Sequence, residues 1–337
     1  MILIDALYIN NGGGKVLLDY LVEQLEATEL SLCYLFDKRV EENPYAIKSS
    51  NKVYYKQASL ITRNQFYRKH KQYFDKVLCF GNLAPLTRLS IPVFTYFHQR
   101  AFLSIPTDIP LKMYIGFYIK SCIFRYLLKN TDELWVQTSL MQEEIERKKI
   151  ISSEKIKQLP FYRDEDLTEK FSKTKNSFIF ASTGTPYKNH TRLINAFCSF
   201  YNKHRQGTLI LTVDADKFPE LAQLIDNRIA EGFPIKNIGF VDRKTLVEAY
   251  QCTEYHIFPS LAESFGLGIV EAIECGCKII GADLPYMHEI CEPSIVFDPL
   301  NEKAIEHAFQ QAISKEERPT IQKITNKINE LIQRLKS

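Results

Sequence analysis

Two carboxylates, Glu263 and Glu271, stand with seven residues between them in PSLAESFGLGIVEAIECGCKIIGAD, residues 259–283. The residues around them prescribe local structure. Positions 255–259 (YHIFP) form a short apolar run that reads as a buried parallel strand. A turn rich in Ser and Gly follows. A helix is then expected from about Leu267 to Glu274, ended by Gly276, with another strand beginning at Lys278. Glu263 falls on the turn and Glu271 inside the helix, so both can face the crevice at the strand's carboxyl end. Phe265, Gly266, Leu267 and Gly268 set backbone N–H groups at the helix N-terminus, where an anion is favoured. Carboxylates for sugar hydroxyls beside amides for phosphate make up the chemistry of a bound nucleotide sugar.

A second constellation is FASTGTPYKNHTRLINAF, residues 180–197. A strand ends at Ala181, and a turn runs from Ser182 to Pro186. Lys188 then sits beside a helix expected to be capped by Asn189. A Lys in that place can reach a diphosphate as a point charge; read alone, it is also an ordinary solvated residue at a helix start. Near the N-terminus, NNGGGK (10–15) joins the first strand to the first helix, and glycines there let backbone approach a ligand closely. The Walker pattern is not met. A dinucleotide fingerprint comes closer, since Asp37 ends the next strand, but its third glycine would fall at Leu17. His98 follows the apolar strand at 92–97, a place where a lone His is often structural.

Stepping along the chain, short apolar runs alternate with helical periods, which marks α/β architecture with parallel sheets. Strands are expected near 1–9, 30–36, 76–80, 91–96 and 132–137, and again near 177–182, 208–214, 236–241, 255–259, 278–282 and 295–298. Helices are expected near 14–27, 62–73, 111–129 and 139–148. In the second half they fall near 189–204, 217–230, 243–251, 266–275, 285–291 and 301–313, and Pro319 opens a last one. The expected organisation is a first domain over 1–160, a polar linker over 161–176 and a second domain over 177–318. The segment 111–130 is apolar and aromatic with Lys112, Lys120, Arg125 and Lys129. It reads as a mostly buried helix, a helix lying on a membrane surface being the alternative.

The stretch P-S-x-x-E-S-F-G-x-x-x-x-E-A (259–272) resembles the E-x7-E signature of the retaining glycosyltransferases of family 4. That resemblance implies the GT-B fold: two Rossmann-like domains whose parallel sheets face a central cleft, with a terminal helix (319–337) packing back on the first. It implies that Glu271 binds ribose hydroxyls, that Glu263 lies by the donor sugar, and that the amides of Phe265, Gly266, Leu267 and Gly268 meet sugar and phosphate. Lys188 matches the family's phosphate-binding Lys. The Arg that usually stands five residues earlier is Thr183 here. Gly13 and Gly14 match the family's Gly-Gly turn, and His98 matches a His that contacts the donor sugar. The implied activity is sugar transfer from a UDP- or GDP-sugar to a hydroxyl with retention, in bacterial surface-polysaccharide assembly (O-antigen, capsule or lipopolysaccharide). The implied acceptor is a lipid-linked glycan at the cytoplasmic membrane face. A non-catalytic nucleotide-sugar or glycan-binding protein of the same fold is the alternative, and a phosphorylase or inverting transferase is another.

Composition fits these expectations. A chain of 337 residues suits two domains, each with its own core. The formal net charge of +3 is uneven: residues 1–160 hold 22 Lys and Arg against 16 Asp and Glu, and the rest hold 21 against 24. A basic first half suits an anionic membrane surface or acceptor, the alternative being an ordinary solvated surface, since the excess is small; no nucleic-acid partner is expected. Neither a charge-free apolar stretch of spanning length nor a signal peptide is read, so a cytoplasmic protein, at most peripheral to the membrane, is expected. The eight cysteines are scattered and read as reduced core residues. Two D-x-D matches, Asp164-Glu165-Asp166 and Asp214-Ala215-Asp216, read as chance. No metal and no cofactor are expected, because helix-end amides and Lys188 can stabilise diphosphate charge without them.

Overall fold

The computed structural model describes residues 1–105, 109–165, 167, 171–314 and 317–337. The chain forms two compact units, residues 1–163 with 325–337 and residues 164–324.

In the first unit seven parallel strands form one sheet: β1 (Ile2–Ala6), β2 (Leu32–Asp37), β3 (Lys52–Lys56), β4 (Lys76–Cys79), β5 (Val93–Phe97), β6 (Glu133–Val136) and β7 (Ile156–Gln158). Their order is β3-β2-β1-β4-β5-β6-β7. Helices α1 (Gly12–Glu26), α2 (Leu60–His70), α3 (Leu111–Leu127) and α4 (Ser139–Arg147) connect them. The central strands are buried along their whole length, as strands covered on both faces must be. Asp5 lies inside β1 because its charge is met: Arg63 Nε donates to it at 2.7 Å, and so does the Tyr67 hydroxyl at 2.7 Å. The same guanidinium donates to the carbonyls of Leu83 and Ala84. It therefore pins the loop after β4 while neutralising a buried acid.

The second unit holds β8 (Thr174–Phe180), β9 (Thr208–Leu211), β10 (Ile235–Asn237), β11 (Thr253–Phe258), β12 (Lys278–Ala282), the short β13 (Cys291–Glu292) and β14 (Ile295–Phe297). Six of these form a parallel sheet of order β10-β9-β8-β11-β12-β14. Its helices are α5 (His190–His204), α6 (Pro219–Ala230), α7 (Arg243–Cys252), α8 (Leu267–Glu274), α9 (Pro285–Ile290) and α10 (Glu302–Ser314). Aromatic packing of Phe178 against Phe200, Tyr255 and Phe309 builds the core beneath α5 and α10. Lys173 Nζ donates to the carbonyls of Tyr250 and Cys275, so one cation serves the C-terminal ends of both α7 and α8. All eight cysteines are free thiols.

Several elements depart from the sequence reading. Strands β3 and β7 were not expected. Both are sheet edges, and β3 (KVYYK) is only partly covered, so neither carries the continuous apolar run of a central strand. Helix α1 begins at Gly12, which puts Gly13 and Gly14 in its first turn rather than in a connecting loop. The helix expected from Pro319 starts only at α11 (Ile328–Lys336). The preceding residues spend their backbone on β15 (Ile321–Gln322), antiparallel to β13, and on the bond from Lys323 N to Ile290 O. Helix α11 belongs to the first unit, where Lys76 Nζ donates to Leu335 O.

The expectation of a mostly buried α3 is overturned. Only Ser121, Phe124 and Leu127 of that helix are buried. Phe124 stacks on Phe97 with ring centroids 4.3 Å apart, and that narrow seam suffices to hold the helix. An apolar helix sequence fixes the period of a face but not what covers it.

Candidate active site

In an open parallel sheet, a crevice forms where strand order reverses, between neighbouring strands whose connections run in opposite directions. In the second unit that place is between β8 and β11. The loop after β8 and the loop after β11 meet there. Leu261 N donates to Tyr187 O at 2.8 Å. Asn189 has φ +66° and makes no capping bond; its Nδ2 instead donates to the carbonyls of Pro259 and Pro299. The expected N-cap is thus a staple between loops, a role that its left-handed backbone permits.

Lys188 ends a short 3-10 turn, Pro186–Lys188. Its ammonium lies 2.6 Å from Glu263 Oε1, with the two side chains 15% and 11% exposed, and sits over the rings of Phe258 and Tyr187. The two residues read from sequence as separate contacts are therefore one ion pair. Such limited exposure strengthens the attraction relative to a surface pair.

Helix α8 opens at Gly266, where φ is +78°. A Cβ there would come within 2.8 Å of Ile290 Cδ1 and 2.9 Å of Ile269 Cδ1, so only glycine fits. At Gly268 a Cβ would face Tyr250 Oη at 3.4 Å and Ala181 O at 3.8 Å, which places the first turn of α8 against the end of β8. Glu271 is buried one turn further on. Burial pushes its pKa up, while the Arg243 guanidinium opposes the rise. Arg243 Nη1 donates to Glu271 Oε1 at 2.8 Å, and its other end pairs with Glu165. Arg243 is the first residue of α7, whose N-cap Asp242 accepts from Thr245 N. Sequence reasoning missed it: the cap signals the helix start, but nothing local shows that a residue 28 positions before Glu271 meets it.

Thr183 offers no charge where an Arg was expected, and its hydroxyl lies 3.3 Å from that of Thr185. In the D-x-D match at 214–216, Asp214 accepts from the backbone of Asp216 and Lys217 and pairs with Lys217 Nζ, as a turn residue does. Asp166 of the other match lies outside the described residues. Among the described residues no group of three or more His, Cys, Asp or Glu is placed to hold a metal ion.

The first unit carries its own group at the β1/β4 switch point. Asn82, with φ +67°, accepts from His98 N at 2.8 Å, and its Nδ2 lies 3.2 Å from His98 Nε2. An amide N–H donates, so Nε2 accepts and the ring proton is on Nδ1. Burial pushes the His98 pKa down to about 4, which keeps the ring neutral near pH 7. A Cβ on Gly14 would lie 3.1 Å from His98 Nε2, whereas one on Gly13 would meet open space. Gly14 and His98 are thus neighbours in one unit. Lys188, Glu263, the 265–268 turn and Glu271 belong to the other.

A family profile for glycosyl transferases group 1 matches residues 163–329. That segment belongs to the group 1 glycosyl transferases. The chain is also 30% identical over 94 residues to the O-antigen chain mannosyltransferase B of Escherichia coli, which covers 28% of this chain and 24% of that protein. Its matches to the serotype-specific mannosyltransferase WbdA of E. coli span only 12–19% of that protein's length. Among solved structures it is similar to sucrose-phosphate synthase from Thermosynechococcus elongatus (TM-score 0.75, 14% identity, 93% of this chain and 90% of that one). It is likewise similar to Anabaena HepE in complex with UDP-glucose (TM-score 0.69, 16% identity, 93% and 89%). These likenesses give a group 1 glycosyltransferase fold of GT-B type, built from two parallel-sheet α/β units.

Proposed function

We propose that the chain is a retaining glycosyltransferase that moves a hexose from a UDP- or GDP-sugar to a hydroxyl of a lipid-linked glycan. The observation that carries the reading is the Lys188–Glu263 pair beside the first turn of α8 at the β8/β11 switch point. A helix N-terminus with an ammonium beside it suits a diphosphate. A carboxylate 2.6 Å from that ammonium suits a hydroxylated sugar.

In this reading Glu271 accepts from the ribose hydroxyls and the 265–268 amides hold the diphosphate. The incoming phosphate competes with Glu263 for Lys188, so the Glu263 carboxylate turns to the sugar as Lys188 turns to the leaving group. Each lost donor to such developing charge costs roughly 2.7–4 kcal/mol in comparable sites. The attacking hydroxyl gives its proton to a donor phosphate oxygen, and no metal takes part. By the resemblance, Gly13, Gly14 and His98 are sugar contacts of the first unit, with His98 acting through its neutral ring. A bacterial surface polysaccharide as product, made at the cytoplasmic membrane face, is supported by the O-antigen mannosyltransferase relative. A nucleotide-sugar donor is supported by the UDP-glucose held by the HepE neighbour.

The uncharged Thr183 favours a second reading, a nucleotide-sugar-binding protein without turnover. The test is release of UDP or GDP from a panel of donors, including slow hydrolysis without acceptor, with anomeric analysis of the product. Donor binding without nucleotide release would favour the second reading, and an inverted product would refute retention.

A further inference from the structure

Among the described residues, helix α3 presents more exposed large apolar side chains to solvent than any other element. Leu111 is 74% exposed, Tyr118 58%, Ile119 53% and Tyr126 64%, and Tyr114 and Ile115 are exposed with them. These six positions recur at helical spacing, so they form one outward stripe. The second half of the helix is fixed on its other side: Phe124 stacks on Phe97, Leu127 is buried, and the Ser121 hydroxyl donates to Phe102 O. The stripe is therefore anchored through the C-terminal half of the helix. Lys112, Lys120, Arg125 and Lys129 are distributed along the same segment, with Lys129 lying over the Tyr126 ring at 3.8 Å. No Asp or Glu occurs between Lys112 and Asn130.

We propose that α3 is a docking surface for an anionic lipid bilayer. A helix of 17 residues extends about 25 Å and carries too much charge to span, and no described helix is long and apolar enough to cross a membrane. It lies in the interface plane, where tyrosines sit at headgroup level and the aliphatic side chains enter the acyl boundary. The charges decide between occupants. A second copy of the chain meeting this face about a two-fold axis would bring like cations together, whereas lipid phosphates neutralise them. The proposal needs neither catalysis nor donor binding, so it stands or falls apart from the glycosyltransferase reading.

The test is sedimentation of the full chain with vesicles of phosphatidylcholine alone and with added phosphatidylglycerol. Binding to the anionic vesicles is expected, with a loss on raising salt from about 0.05 to 0.5 M. The triple variant Lys112→Gln, Arg125→Gln, Lys129→Gln is expected to lower the partition coefficient at least about tenfold. Tyr118→Ser with Ile119→Ser is expected to lower it about as much. Both variants alter exposed positions, so their thermal melts should match the parent's. Absence of binding to anionic vesicles, or binding indifferent to both variants, overturns the proposal. So does concentration-dependent dimerisation that Y118S/I119S abolishes, because the stripe would then belong to a second copy.

Discussion

Lys188 Nζ and Glu263 Oε1 meet at 2.6 Å although 75 residues separate them in sequence, each supplied by a loop on one side of the β8/β11 boundary. The pair couples a cation suited to phosphate with an acid suited to sugar. Lys188→Ala should therefore lower turnover by about 100- to 1,000-fold and also weaken donor binding. Glu263→Gln should lower turnover more than binding, because the freed ammonium still meets the diphosphate. Nucleotide-release kinetics beside calorimetric binding of the same donor would read the two effects. Parent-like turnover in both variants would remove these residues from the reaction.

Arg243 opposes the rise that burial imposes on the Glu271 pKa. Arg243→Gln should let that pKa climb further. On the proposed reading the ribose then loses its anionic acceptor at lower pH, so nucleotide affinity in the variant should rise with pH more steeply than in the parent. Calorimetry of UDP and GDP binding from about pH 5.5 to 8 measures it. Tighter binding in the variant at every pH would mean that Arg243 blocks the carboxylate rather than readies it.

Gly266→Ala combines a left-handed backbone with a Cβ that overlaps Ile290 and Ile269. A cost of roughly 2 kcal/mol or more is expected, seen as a lower Tm. Nucleotide affinity should fall too, since the strain is relieved by shifting the first turn of α8.

Two histidines of the second unit set an acid limit. Burial drives the pKa of His256 and of His190 from 6.5 down to about 3. The unfolded chain binds these protons first, so the native state keeps the full benefit above about pH 6.5 and loses it as pH falls toward 3. By about pH 5 each should cost on the order of 1–2 kcal/mol. In His256→Gln the slope of urea stability against pH should flatten, because Gln cannot charge while its amide can still donate to Ile179 O, the present partner of Nδ1. An unchanged slope would show that the acid limit lies elsewhere.

What the sequence revealed follows from how far apart the cooperating groups lie. β1 and β11 are covered on both faces and read plainly as apolar runs, and the turn from Glu263 to Glu271 is local enough for Gly266 and the helix start to be anticipated. The edge strands β3 and β7 lack that double coverage, so their residues look like loop. Asn189 looked like a cap because residue type alone cannot reveal a left-handed φ. The meetings of Arg243 with Glu271 and of Lys188 with Glu263 depend on strand order, which no local pattern encodes. Helix α3 was visible as a helix, but its solvent-facing stripe was not.

The boundary at Arg163 and the return at Thr325 bear on how the polypeptide is made. Residues 164–324 form an uninterrupted span and can collapse as soon as they leave the ribosome. The first unit is a two-piece assembly whose closing piece, α11, buries Ile328, Leu331, Ile332 and Leu335. Because α11 follows residue 324 in the chain, the contacts it makes in the first unit can form only after the second unit's residues have been synthesised.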